Sequence, residues 1–471
     1  MKLAARRLAL IRGLLAASLL GAPALAAIAF ANPPFTIETA DPGPAFVGQY
    51  TSLALDSQGY PHISYYDDDN GNLKFASRSA TGVWTREVAD GSADQVGLFS
   101  SLAIDAQNNP NISYYDNSIG RLWYARKASG VWTRQVVDAA GDVGADNAIA
   151  LDSQGNPGIS YYDVTNQDLK YAHKSSGVWT VEVADGSSDD AGQFSSLAFD
   201  TQGNPCISYY DASTGDLMYT RKSGGTWSTE PADDSGDNRG QYSSLKLDSQ
   251  NRPSISYYDA SNQNLMFARK AGGIWTVQTV DASDLDTGRD NAIALDAAGG
   301  PHITYYDNTN GHWLYARKLS ATWELLPVDD GVNNTGGYGS IAIDAGGRPL
   351  LCCFDGSAAH LLYAYGPPEV PTAVGDHRPT PGLSFAVYPN PSRGGIVNIR
   401  MDPSRAASVS AIDIIDAGGR RVRRLDLDAA GFAQWDGRDE RGAAVRTGLH
   451  FVRPVGRNGN GEAAQRLVIV R

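Results

Sequence analysis

Three cysteines in 471 residues, two of them adjacent at Cys352 and Cys353, rule out a disulfide framework. Neighbours on a strand point to opposite faces, so these two cannot bridge each other in regular β-structure. All three are expected to be small buried residues. Histidine is scattered over positions 62, 173, 302, 312, 360, 377 and 450, without an HExxH or any paired metal-ligand spacing. The chain has no G-x-S-x-G elbow, P-loop or twelve-residue EF-hand pattern. After residue 31 no apolar stretch is long enough to span a bilayer, and residues 32–366 contain no sustained 3.6-residue period. A net charge of −13 lacks the basic surplus that phosphate backbones require, which disfavours nucleic acid.

What is abundant is a repeat. At a spacing of 47 to 49 residues an "SLALD" element, a turn and an "ISYYD" element recur seven times. The first elements close on Asp56, Asp105, Asp152, Asp200, Asp248, Asp296 and Asp344, the second on Asp67, Asp116, Asp163, Asp211, Asp259, Asp307 and Asp355. Each copy continues through a third short β-branched and aromatic run. A fourth follows, opening on Trp84, Trp132, Trp179, Trp227, Trp275 or Trp323. Four such runs separated by Gly, Asn, Asp, Ser and Pro clusters read as a four-stranded antiparallel meander. An array of them reads as an all-β propeller. The seventh copy lacks its fourth run. The segment Phe35–Asp41 supplies one without a blade: Phe35 precedes Asp56 by the same 21 residues that separate Trp84 from Asp105. The expectation is a seven-bladed β-propeller over 32–366, closed by this N-terminal strand, which leaves only short protected edges.

The fold itself requires most of the shared aromatics. Tyr65, Tyr114 and Tyr161 lie on the strand face of Ile63, Ile112 and Ile159, and the tryptophans should fill the outer wedges between blades. An Asp closing a strand two or three residues before Gly or Asn makes an Asx-type turn. That is the expectation for the seven "YYD" aspartates. The face with the fourth-to-first connections and second-to-third turns gathers "DDDNGN", "ADGSSDDAG" and "DDSGDNRG" and should be acidic. The opposite face should be of mixed charge.

Departures from the repeat are more informative. Just before the innermost strand, five copies place Tyr50, Phe99, Phe194, Tyr242 or Tyr338, whereas copies three and six have Asp146-Asn147 and Asp290-Asn291. These four residues are the candidate ligand site beside the central channel. Asp142, Asp284 and Asp286 precede them and are the candidate ligands for a metal ion, with Ca2+ the ion such oxygens would suit. No catalytic constellation is recognisable. Acidic pairs abound, but a glycosidase needs two carboxylates at a defined separation in different environments. The Ser-x-Asp-x-Gly-x-Thr-Trp box of sialidase-type propellers has no counterpart, since "DSQGNP" falls in the wrong turn and lacks the tryptophan.

Residues 1–31 carry Lys2, Arg6, Arg7 and Arg12, then an apolar run to Ala29, then a small-x-small site at Ala29-Phe30-Ala31. That is the pattern of a signal peptide. A Pro-rich stretch over 367–384 reads as a semi-rigid linker. From Asp376 onward there is no lysine and the net charge is +5, against about −22 for the propeller region.

The tail 385–471 carries Tyr388-Pro389-Asn390-Pro391, the "D-x-x-G-R-x-V" of Asp416–Val422, the "WDGRD" beginning at Trp435, and a terminal apolar strand. In these motifs it resembles the FlgD-type Ig-like domains and the sorting domains of type IX secretion substrates. His450 stands where that family usually has an aromatic. The resemblance implies a small Ig-like β-sandwich read by a secretion machinery, with release or attachment at the outer cell surface. The "ISYYD" repeats are similar to those of many exported bacterial proteins of unassigned role, which implies the propeller and no activity. Together these point to a secreted or cell-surface binding protein for a glycan or protein ligand, not an integral membrane protein. An extracellular propeller glycoside hydrolase or lyase, and a structural adhesin or spacer, are the alternatives.

Overall fold

The computed structural model describes residues 34–366, apart from 44–45, 93–94, 187–189, 237, 284 and 320–321, together with segments of 385–469. The expected signal peptide, the linker and Asp284 lie outside the described residues. The chain divides into two compact units at Val370/Pro371.

The first unit holds seven four-stranded antiparallel sheets arranged like a β-propeller, and no helix occurs among the described residues. In six of the sheets the strands follow chain order and are called A to D here; the seventh takes its A, B and C the same way. Sheet two, for example, has A Val96–Ile104, B Pro110–Asp116, C Arg121–Ala128 and D Val131–Asp138. The D-to-A connections hydrogen-bond to the B–C turns, as Val96 N does to Gly71 O, so both stand on one face, called upper here. In the seventh sheet the strand beside C (His360–Tyr365) is Thr36–Asp41, paired antiparallel with Thr36 opposite Tyr365. The A strands neighbour one another: Ser52 Oγ accepts from Leu102 N at 3.0 Å, Ser101 Oγ from Ile149 N at 3.1 Å, and Ser340 Oγ from Leu53 N at 3.0 Å.

The cores lie between sheets. Leu122 and Tyr124 of sheet two pack with Ile149, Ile159 and Tyr161 of sheet three, and Leu350, Leu361 and Tyr363 of sheet seven pack with Leu53, Ile63 and Tyr65 of sheet one. Each D-strand tryptophan meets a C-strand aromatic of the preceding sheet edge-on, as Trp132 does Phe75 and Trp275 does Tyr219, about 5.4 Å between centroids. The buried polar atoms follow the same periodicity. Tyr65, Tyr114, Tyr161 and Tyr257 donate to Asp41, Asp90, Asp138 and Asp233 at 2.5 to 2.7 Å, linking the start of one sheet to the end of the one before. The "YYD" aspartates cap their own turns as expected, Asp116 Oδ1 accepting from Ser118 N and Asp163 Oδ1 from Thr165 N at 3.0 Å. Cys206, Cys352 and Cys353 are buried and free.

The second unit contains a three-stranded sheet (Phe385–Tyr388, Val397–Met401, Phe432–Trp435) and a four-stranded one. The latter places Val409–Asp416 between Arg421–Asp426 and Gly448–Gly456, with Gln465–Ile469 at its edge. Val397, Ile399, Ile412, Ile414, Trp435 and Val452 form its core. Buried Asp413 is held by the Arg424 fork at 2.7 and 2.9 Å.

Candidate functional site

Every A strand breaks register twice against its B strand, and one non-glycine residue within the second break adopts left-handed backbone. The seven residues are Tyr50, Phe99, Asp146, Phe194, Tyr242, Asp290 and Tyr338, with φ between 48° and 56°. Large non-glycine residues rarely occupy that region. A bulge re-aims a side chain, and such strain collects where geometry is used. The seven stand on the A strands: aromatics in sheets one, two, four, five and seven (Tyr50, Phe99, Phe194, Tyr242 and Tyr338) and carboxylates in sheets three and six (Asp146 and Asp290). Tyr50 lies 4.7 Å from Tyr338 and 4.8 Å from Phe99 between ring centroids, and Phe194 lies 4.7 Å from Tyr242.

The sequence singled out four residues here, and the structure sorts them. Asp146 and Asp290 take two of the seven left-handed positions. Asn147 and Asn291 are buried and turn into the sheets: Oδ1 of each accepts from Ser113 or Ser256 at 2.5 Å, and Nδ2 donates to Gly144 O or Gly288 O at 3.0 and 2.9 Å. They do the work that the serine hydroxyl pairs Ser64–Ser100, Ser160–Ser195 and Ser208–Ser243 do elsewhere. The Asp146 carboxylate accepts from Phe194 N at 3.1 Å, and Asp290 accepts from the Tyr338 amide in the same way.

Burial pushes the Asp290 carboxyl up to about 6, against the lowering pull of the Tyr338 amide and Arg289. Burial likewise raises the Tyr50 and Tyr338 hydroxyls. An acid raised above its ordinary 3.8 holds its proton more tightly in the folded than in the unfolded chain. Through this group the folded chain should therefore lose stability as pH rises from 4 to 6, by up to about 3 kcal/mol, and no further above that. Asp290→Asn keeps an acceptor for the Tyr338 amide and should lack this loss. Urea unfolding of both proteins at pH 4, 5, 6 and 7 measures the difference, which should open between pH 4 and 6 and then stay constant.

Two of the three residues marked for a metal, Asp142 and Asp286, hold tyrosine hydroxyls. Asp142 Oδ1 accepts from Tyr115 OH at 2.5 Å, and Asp286 Oδ1 from Tyr258 OH at 2.6 Å. Asp190, Asn238 and Asn334 take Tyr162, Tyr210 and Tyr306 at 2.6 to 2.7 Å in the same manner. Asp286 also holds Arg289 at 2.7 Å and accepts from Asn308 Nδ2 at 2.9 Å. Among the described residues no three His, Cys, Asp or Glu side chains converge on a metal-sized site. The signal for this role was in the sequence: a second tyrosine of "YYD" followed 27 or 28 residues later by Asp or Asn.

A separate cleft of about 440 Å³ opens between sheets one and two, lined by His62, Phe75, Glu87, Asn108 and Lys127 among others. Lys127 and Glu87 pair there at 2.6 Å, while burial holds the His62 imidazole below its ordinary range.

No protein-family model and no curated protein matches the chain. Among solved structures it is similar to PorZ of Porphyromonas gingivalis, described as an essential bacterial surface component of the type IX secretion system (13% identity, TM-score 0.49). That alignment covers 90% of this chain and 59% of PorZ, so the chain spans little more than half of that protein. It is similar also to YCF48 of Cyanidioschyzon merolae (13% identity, TM-score 0.48, covering 71% of this chain and 99% of that one). A third similar structure is the Aleuria aurantia lectin (16% identity, TM-score 0.43, covering 61% and 98%). At these identities the similarity is one of fold.

Proposed function

We propose that the seven sheets close into a ring sealed by Thr36–Asp41, and that this ring is an exported, surface-displayed binding module. Its ligand, a glycan or a protein segment, sits over the axial ring on the upper face. The tail from 385 is an Ig-like β-sandwich serving secretion and anchoring, as its motifs suggest. One observation carries the binding reading: five aromatics and two carboxylates stand at equivalent left-handed positions around the axis. Aromatic faces offer flat apolar area for stacking, and carboxylates accept hydroxyl hydrogen bonds, the mixture a polyhydroxylated ligand needs.

Glycan-array binding by the secreted protein, with and without EDTA, tests this reading. Saturable binding that Tyr338→Ala removes supports it, and EDTA sensitivity would add a Ca2+ to the site. One observation favours a second reading, catalysis on an extracellular glycan. Asp290 carries a carboxyl raised towards neutrality, as a general acid requires, with a second carboxylate, Asp146, in the same ring. Product formation abolished by Asp290→Asn would establish it in place of simple binding.

A further inference from the structure

The cleft between sheets one and two opens where sheet one lacks a side chain that its neighbours keep. In the B–C ladder Ser77 stands opposite His62, and the same register position holds Arg126, His173, Arg221, Arg269 and Arg317 in sheets two to six. Four of these reach the aspartate that follows strand A of their own sheet. Arg126 reaches Asp105 at 2.7 Å, His173 Asp152 at 3.2 Å, Arg221 Nε Asp200 at 2.9 Å and Arg269 Asp248 at 2.8 Å. In sheet one the short Ser77 hydroxyl turns instead to Thr85 at 2.8 Å, and both residues line the cleft.

Asp56, the counterpart aspartate, is left without a guanidinium. Its Oδ1 caps the turn, accepting from the Gln58 and Tyr60 amides at 2.9 Å. Among the described residues its Oδ2 meets only the His62 ring, whose Nε2 stands 3.4 Å away. Burial holds that imidazole below its ordinary range, so at neutral pH it brings no full positive charge. Sheet six shows that a histidine at this place leaves room for an arginine. His302 stands 3.5 Å from Asp296, and Arg317 is still present, turned to Glu324 at 2.6 Å. The other sheet boundaries show where the absent side chain would lie. Burial and then the charge of Arg126 lower Lys174, and burial and then Arg269 lower Lys318. These lysines are the counterparts of Lys127, so the arginines project towards the next sheet's lysine, and Lys127 lines the cleft. The vacated arginine position and the cleft are therefore the same space.

We infer that the cleft takes a guanidinium group from outside, the arginine side chain of a partner protein segment, in the place of the arginine that sheet one lacks. A planar guanidinium suits carboxylate oxygens, and its charge would face Asp56 and the Glu87 carboxylate on the cleft wall. The site does not rest on the glycan reading of the axial positions, and its failure would leave that reading untouched.

The secreted protein, 13C-labelled at the histidine Cε1 positions, tests this in 1H–13C correlation spectra. The His62 signal is assigned by its loss from His62→Asn, which copies Asn111 of sheet two. N-acetyl-L-arginine methylamide should shift the His62 signal saturably, and its uncharged citrulline analogue should not. Ser77→Arg gives sheet one the residue of its neighbours and should abolish the response by filling the cleft from within. Asp56→Asn keeps the Oδ1 turn cap and should weaken binding about tenfold or more. The inference is overturned by no saturable shift in the wild type, or by an equal response to the citrulline analogue. Unchanged affinity in Asp56→Asn, or a response that survives in Ser77→Arg, overturns it as well.

Discussion

Deletion of residues 34–41 is expected to remove cooperative folding of the first unit rather than trim a loose end. Asp41 accepts from Tyr65 OH at 2.7 Å and from Lys74 Nζ at 2.5 Å. Burial opposes its charge, yet Lys74 and Tyr65 hold its carboxyl below the ordinary range. Glu38 takes the Arg78 fork at 2.9 and 2.7 Å and the Trp84 indole at 3.2 Å, and Ala40 O accepts from Arg86 at 2.6 Å. Without the strand these partners lose their acceptors and the edge of His360–Tyr365 is bared. Removing one partner of a buried charge pair alone costs about 3–5 kcal/mol, and the margin of a whole domain is about 5–15 kcal/mol. A bared edge also invites intermolecular pairing. Thermal unfolding and size-exclusion chromatography of the deletion variant should show a lost or strongly lowered transition and aggregation. A monomer that melts like wild type would show that the strand is dispensable.

Gly288→Ala should be nearly as damaging, for a different reason. Its φ is +103°, and a Cβ built there would stand 2.6 Å from Leu265 Cα, on the C strand of the preceding sheet. Gly97, Gly144, Gly192 and Gly240 make the same approach to Leu73, Leu122, Leu169 and Leu217 at 2.7 to 2.9 Å. Glycine at these positions lets each inner strand lie against its neighbour's backbone. Strain and overpacking together predict a loss of about 2–6 kcal/mol in urea unfolding. Gly155→Ala is the comparison: φ is +80° there too, but nothing lies within 4 Å of the new methyl. It should cost only the backbone strain, about 1–3 kcal/mol. Equal losses at the two positions would contradict the close-approach account.

The contrast between these glycines shows what the sequence made legible. Strand limits, the Asx turns and the four-stranded units followed from local chemistry: Pro110 starts a strand, Asp116 caps a turn, and Trp132 opens the outermost strand one blade-length after Trp84. Breaks in the repeat led to Asp146 and Asp290. Roles that depend on another sheet showed at most as long spacings, without a local cue. Nothing local distinguishes Asn147, whose amide replaces a serine pair, from Asp146, which takes the left-handed position. Asp142 and Asp286 looked like free oxygens because their tyrosine partners lie across a sheet boundary. The left-handed backbone at Tyr50 and its equivalents had no glycine or asparagine to announce it.

The proposed axial ring is the centre of the functional account, and calorimetric titration of a glycan identified on the array tests it most directly. Wild type, Tyr338→Ala and a lower-face variant, Asn108→Ala, would be compared after matched melting curves establish that all three are folded. Loss of one stacked aromatic face should weaken binding by about tenfold or more in Tyr338→Ala, with Asn108→Ala unchanged. Equal affinity in wild type and Tyr338→Ala, or weakening in Asn108→Ala alone, would place the ligand away from the axis and contradict the account.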